Sequence, residues 1–197
     1  RKDKALFREK LQRFPQLSAV AVGNLGHLPI VEGLGLEVRG DFGLNVFNSR
    51  ALAFLRELGL ASATVSFELR HQQVRDLAKL LPCEGIVYGR LPLMVMENCI
   101  TRNNVGCRHG AGSTLTDRTG AQFPVQCVYG CRNEIENSLP LFLADKAEWR
   151  GCGLTSARLR FTTETADECA AILRRYRGEG DYAPEKYTRG LFYRGVE

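Results

Sequence analysis

Short apolar runs alternate with helical patterns through the first half of the chain. SAVAVGNLG (18–26), GLNVFNS (43–49), ATVSFEL (63–69) and GIVYGRLPLM (85–94) are rich in β-branched and small apolar residues, and several end in Gly- or Asn-containing turns. That pattern predicts strands buried on both faces. Between them the spacing predicts a helix at 50–58, with Leu52, Phe54, Leu55 and Leu58 along one side, and another at 71–81. The opening RKDKALFREKLQRF reads as a charged amphipathic helix. Strands alternating with helices imply right-handed crossovers and a parallel sheet covered on both sides.

Past residue 95 the alternation breaks. The stretch 97–133 is rich in Gly, Asn, Arg and Cys and reads as a long loop, with TDRTG (116–120) turning between the extended pieces STLT and QFPVQ. Loops of this length inside a domain are usually functional. A short helix is predicted at 136–148, a strand at 156–162 (SARLRFT), and a helix at 164–177 that starts at Thr163 with Glu164, Asp167 and Glu168 in its first turns.

Five strands of parallel type are too few for an eight-stranded barrel. The expected fold class is therefore α/β, the C-terminal part of a TIM-barrel-like parallel β/α domain with a long cysteine-containing loop insertion. The expected organisation is a partial barrel domain over 1–177, including the cysteine region 95–133, and a C-terminal extension over 178–197 leading to a following segment. A chain that starts at Arg1 and stops abruptly at RGVE is expected to be a piece of a longer one, with the N-terminal part of the barrel missing.

Composition narrows the class only modestly. With 44% hydrophobic and 25% charged residues the chain is an ordinary globular protein. A net charge of +5 permits a nucleic-acid partner without demanding one. No apolar run approaches the ~18 residues of a membrane span, so no membrane partner and a cytoplasmic location are expected.

Seven cysteines change the picture more. In a chain expected to stay reduced, metal ligation explains them better than a disulfide framework. Cys99, Cys107, Cys127 and Cys131 cluster in the irregular middle, separated by seven, nineteen and three residues. That is neither the paired spacing of zinc ribbons nor the tight ferredoxin run, so spacing leaves an iron–sulfur cluster, zinc and unrelated buried thiols all open. Cys83, Cys152 and Cys169 read as buried structural residues.

Around the four cysteines lie Arg102, Asn103, Asn104, Arg108, His109, Arg118, Arg132 and Asn133. They are candidates to hold an anionic substrate or nucleic-acid backbone, or to donate hydrogen bonds to cluster sulfurs; solvated loop charge is the plainer alternative. In a parallel barrel the carboxyl ends of the strands build the active site, which makes Glu68, Tyr88 and Arg90 the pocket candidates. Asn48 and Ser49 serve equally well as helix caps.

The segment EGIVYGRLPLMVMENC (84–99) resembles the strand-and-loop element of the collagenase-like peptidase family, the thirty-second family of peptidases of unknown catalytic type. In that family the element commonly reads H-G-A-L-C-I-A-Y-S-G-Q-C, so Tyr88-Gly89 falls on H-G and Cys99 on the last cysteine. GDFGLNVFNS, TVSFEL, FPV, RLRFTTE and YTRGLFYRGVE are similar to the longer-chain branch of the family. The resemblance runs from about residue 18 to the end.

The resemblance implies a TIM-barrel-like fold, a four-cysteine cluster of the 4Fe-4S type, and a part in oxygen-independent hydroxylation. Its characterised relatives serve ubiquinone synthesis or modify a tRNA uridine or a ribosomal RNA cytidine, the last being the branch this chain most resembles. RNA and a small-molecule hydroxyl donor are the partners implied. Carried over residue by residue, Cys99 matches the second family ligand, Cys107 the third and Cys131 approximately the fourth. The first falls on Pro92, which ligates nothing, and Cys127 is the expected substitute. Two alternatives belong to other classes: a peptidase, as the family name says, and a binding module whose cysteines hold zinc.

Overall fold

The computed structural model describes residues 2–106, 113–128 and 132–195. In chain order the elements are α1 (Lys2–Gln12), β1 (Ala19–Val22), α2 (Leu28–Val31), β2 (Glu37–Gly40), α3 (Ser49–Glu57), β3 (Ser62–Thr64), α4 (His71–Leu77) and β4 (Cys83–Gly89). They continue with β5 (Pro92–Met96), α5 (Ile100–Val105), β6 (Ser113–Thr116), β7 (Gln122–Val128), β8 (Arg132–Glu136), β9 (Leu141–Phe142), β10 (Ser156–Arg160) and α6 (Ala166–Arg177). The chain divides into two compact units, one of residues 1–86, 146–158 and 190–197, the other of 87–145 and 159–189.

The first unit is built on a curled parallel sheet in the order β1-β2-β3-β4-β10, a half-barrel of five strands. Its register aligns Val22 with Gly40, Gly40 with Ala63, and Ala63 with Cys83. The side chains of Val22, Ala63, Val65 and Cys83 pack on Leu52 and Leu55 of α3 and Val74 and Leu77 of α4, forming one core. Successive residues of a strand point to opposite faces, and the alternate positions carry Arg39, Thr64, Glu84 and Arg158. β1 and β2 are thus open to solvent on their polar face, whereas β3 and β4 are buried on both faces along most of their length, as the apolar runs suggest.

Two further expectations for this unit are corrected. The second strand is β2 at 37–40 and not GLNVFNS. There Asp41 caps a turn of 3-10 helix over Phe42–Leu44, and Asn45 takes a left-handed φ of 46° that breaks extension, leaving one parallel bridge from Val46 to Val65. The close approach of Gly43 to the Gly23 carbonyl, where a Cβ would stand 2.6 Å from the oxygen, fixes that turn. In α3, Leu52 and Leu55 are buried, but Phe54 and Leu58 are exposed and belong to another face.

The second unit holds an antiparallel sheet in the order β5-β8-β7-β6. The expected fourth strand at 85–94 is two: β4 ends at Gly89, whose φ is +121°, and Pro92 opens β5 in the other sheet. The expected long loop is largely this sheet plus α5: the extended pieces STLT and QFPVQ are β6 and most of β7, and β7 pairs antiparallel with β8 from Val125–Ile135 to Val128–Arg132. The helix expected at 136–148 does not form. Leu141 and Phe142 instead pair with Gly89 and Tyr88, and Phe142 N donates to Thr188 O at 3.0 Å. Tyr176 of α6 ties this core together, donating to Val87 O at 2.6 Å and accepting from Leu143 N at 3.0 Å. A capping box between Thr165 and Glu168 starts α6, two residues later than predicted.

Among the described residues no helix is long and apolar enough to cross a membrane.

Candidate functional site

The antiparallel sheet organises Cys99 and Cys127, the two of the four clustered cysteines that lie among the described residues. Register places Asn133 of β8 between Cys127 of β7 and Met96 of β5, and Cys99 lies three residues beyond Met96. Asn133 is wholly buried and Cys99 nearly so, while Cys127 is half-buried. The Asn133 Nδ2 lies 3.5 Å from Cys127 Sγ and 4.0 Å from Cys99 Sγ, so both sulfurs gather round one amide. Its Oδ1 accepts from Ile100 N at 2.6 Å, which fixes which end of the amide faces the sulfurs.

Local structure supplies another donor. Cys99 takes the N-cap position of α5, and its Sγ accepts from Arg102 N at 3.3 Å. The two sulfurs therefore receive N–H groups from a helix start and a locked side chain, the kind of donation that stabilises thiolate ligands. Cys107 and Cys131 lie outside the described residues, as do Arg108 and His109. Among the described residues no group of three or more His, Cys, Asp or Glu side chains is arranged to hold a metal ion; Cys99 and Cys127 form the described pair.

The basic candidates are scattered by comparison. Arg102 and Arg118 are exposed, the latter on a turn whose Asp117 Oδ1 accepts from Thr119 N and Ala121 N. Arg132 makes a bidentate pair with Glu97 at 2.9 and 3.0 Å, on exposed side chains. Of the pocket candidates, Tyr88 is buried and donates to Glu164 Oε1 at 3.1 Å. Burial, with the Glu164 carboxylate beside it, pushes its phenol far above the ordinary tyrosine range. Arg90 donates to the carbonyls of Asn137 and Ser138 and, at 3.3 Å, to Thr163 Oγ1, which makes it a brace for the chain after β8. Glu68 is half-buried in the first unit, on the turn after β3, where its N–H donates to Ser66 Oγ at 3.4 Å.

Two charge clusters went unnoticed in the sequence. Arg160 Nη1 meets Glu136 Oε2 at 2.7 Å and Nη2 meets Glu134 Oε1 at 2.6 Å, with Glu136 wholly buried. Burial outweighs Arg160 at Glu134 and holds its carboxyl above the usual range. In the first unit Arg158 Nη1 meets Asp41 and Nη2 meets Glu84, each at 2.5 Å. The signal for both was charge at alternate positions in the runs ARLR and RNEIE, which puts like residues on one face of a strand.

The fold and site thus define a mixed α/β protein with a curled parallel half-barrel and a cysteine-bearing antiparallel sheet. No family model matches the chain, and neither a curated protein nor a solved structure matches it.

Proposed function

We propose that the cysteine-bearing sheet is an iron–sulfur site and that the protein acts in oxygen-independent hydroxylation of an RNA base. The observation that carries the reading is the convergence of Cys99 and Cys127 on the Asn133 amide. Two thiols beside fixed N–H donors suit thiolate ligation of iron. Cys99 and Cys127, with Cys107 and Cys131 from the neighbouring sequence, would hold the cluster, which would supply one-electron transfer. Arg102 and Arg118, exposed on the same unit, and Arg108, His109 and Arg132 would bear on the phosphate backbone. In this reading the five-stranded half-barrel is the C-terminal part of a TIM-barrel-like domain.

Anaerobic purification tests it. The expected product is brown, with a broad visible absorbance, iron and acid-labile sulfide, and Cys99→Ala and Cys127→Ala each lose the colour. Colourless protein with stoichiometric zinc would replace the redox reading by a structural one. Peptide cleavage by metal-free protein, lost in Cys99→Ala, would favour a hydrolase. Retention of the cluster in Cys127→Ala would remove that residue from the ligand set.

A further inference from the structure

The polar face of the parallel sheet lines an open pocket of about 240 Å³ that the cysteine site does not use. Packed barrel interiors are filled by Val, Ile and Leu; here Ala19, Ala21 and Ser62 leave the space open. Glu84 stands in its wall, held from three sides. Thr64 Oγ1 donates to Oε1 at 2.8 Å, Ser156 Oγ to Oε2 at 3.4 Å, and Arg158 Nη2 lies 2.5 Å from Oε1. Asp41, which caps the Phe42–Leu44 turn, takes the other Arg158 nitrogen. The guanidinium also lies 6.0 Å over the Phe42 ring. So many contacts leave Arg158 a single preferred position.

Arg39 differs. Its Nε pairs with Glu37 at 2.6 Å on half-exposed side chains, an arrangement worth little in water. Among the described residues no protein hydrogen bond engages its terminal nitrogens or the Ser62 hydroxyl. The cavity therefore offers unfilled donors at Arg39, a hydroxyl at Ser62, and carboxylate lone pairs at Glu84.

Charge selects the ligand. Of the cations that line it, Arg158 is held by Glu84 and Asp41 and Arg39 is paired through Nε with Glu37, so an anion leaving water would have to compete with a carboxylate already in place. A cation would have to displace Arg158 from carboxylates it already fills. A neutral molecule bearing hydroxyls, each a donor and an acceptor at once, satisfies all three kinds of group. Size restricts it further, because the volume lies below the roughly 300–1,000 Å³ of sites for drug-sized ligands. We infer that this cavity binds one neutral polyhydroxylated ring, the vicinal diol of a furanose or pyranose.

Calorimetry and saturation-transfer NMR on the full chain with D-ribose, D-glucose and adenosine test this. Saturable binding of at least one is expected, weakened about tenfold by Arg39→Ala, the loss of one or two hydrogen bonds. Ala21→Phe, at an exposed position of β1, fills the cavity and abolishes binding while circular dichroism stays unchanged. If that variant does not fold, Ser62→Leu takes its place. Adenosine binding without ribose assigns the diol to a nucleoside, and ribose or glucose binding as tight as adenosine assigns it to a free sugar. Saturation by none of the three, or by inorganic phosphate or spermidine in their place, overturns the inference.

Discussion

Cys127 and Asn133 stand opposite each other in the β7–β8 ladder, and the Asn133 amide nitrogen lies 3.5 Å from the Cys127 sulfur. The same side chain accepts from Ile100 N, so one buried amide joins the ladder to the start of α5. Asn133→Leu removes the side-chain acceptor of the part-buried Ile100 N–H. It is expected to cost about 1–3 kcal/mol in urea unfolding and to speed hydrogen exchange at Ile100. Asn133→Asp keeps that acceptor but turns a carboxylate toward two sulfurs. It is expected to protect Ile100 as the native residue does while weakening cadmium binding by the cysteines. Cadmium affinity equal to the native chain's in both variants would remove the amide's part at the sulfurs.

How much of this was legible in the sequence depends on what each residue's period of repetition reports. α3, α4 and α6 were found because their apolar spacing and caps are local. β2 was missed because GLEVRG is short and half polar, whereas the more apolar GLNVFNS is bent by Asn45 and Gly43 into a turn whose cause lies at Gly23. The β6–β7 turn was readable from TDRTG. STLT and QFPVQ, read as extended pieces, are β6 and most of β7, whereas β8 was hidden in the Asn- and Cys-rich stretch and its partner β5 lies far away in sequence. Cys99 and Cys127 were legible as chemistry, and Asn133 as one of several possible donors. That Asn133 is the residue between them follows from register, which composition does not report.

The Arg160 cluster makes a second test. Glu136 is wholly buried and shares two hydrogen bonds with a guanidinium that also donates to Arg90 O at 2.5 Å. Arg160→Met leaves two carboxylates in the interior and is expected to cost about 3–5 kcal/mol. Adding Glu134→Leu and Glu136→Leu removes the stranded charges and should recover most of that loss. Chemical denaturation of the single and triple variants checks both. A triple variant no more stable than the single one would mean that the cluster sets the chain's path and not only its charge.

Cys83 carries a pH dependence. Burial pushes its thiol from the ordinary 9.0 to about 11, so the fold holds the proton more tightly than the unfolded chain does. The associated stability is fully present below pH 9 and is lost as pH rises through about 11. Unfolding free energies followed through that window should fall more steeply for the native chain than for Cys83→Ala, whatever the two differ by at neutral pH. The same burial predicts that iodoacetamide labels half-buried Cys127 and Cys169 well before Cys83.

Gly89 closes β4 at a φ of +121°, and a Cβ built there would stand 2.0 Å from Arg160 O and 2.9 Å from its carbonyl carbon. Both atoms are backbone, so no side-chain rotation relieves the overlap, and the conformation is one that L residues rarely adopt. Gly89→Ala must therefore separate β4 from the chain at Arg160, whose side chain holds Glu134 and Glu136. The expected cost is about 4 kcal/mol or more, seen as a large fall in the urea midpoint or as failure to recover folded protein. The control is Gly178→Ala at the end of α6, where φ is +83° and ψ is 14° but nothing lies within 4 Å of the added Cβ. That change should cost only about 1–2 kcal/mol, the strain of a left-handed alanine. If the two substitutions prove equally mild, the contact between Gly89 and Arg160 does not constrain the strand end.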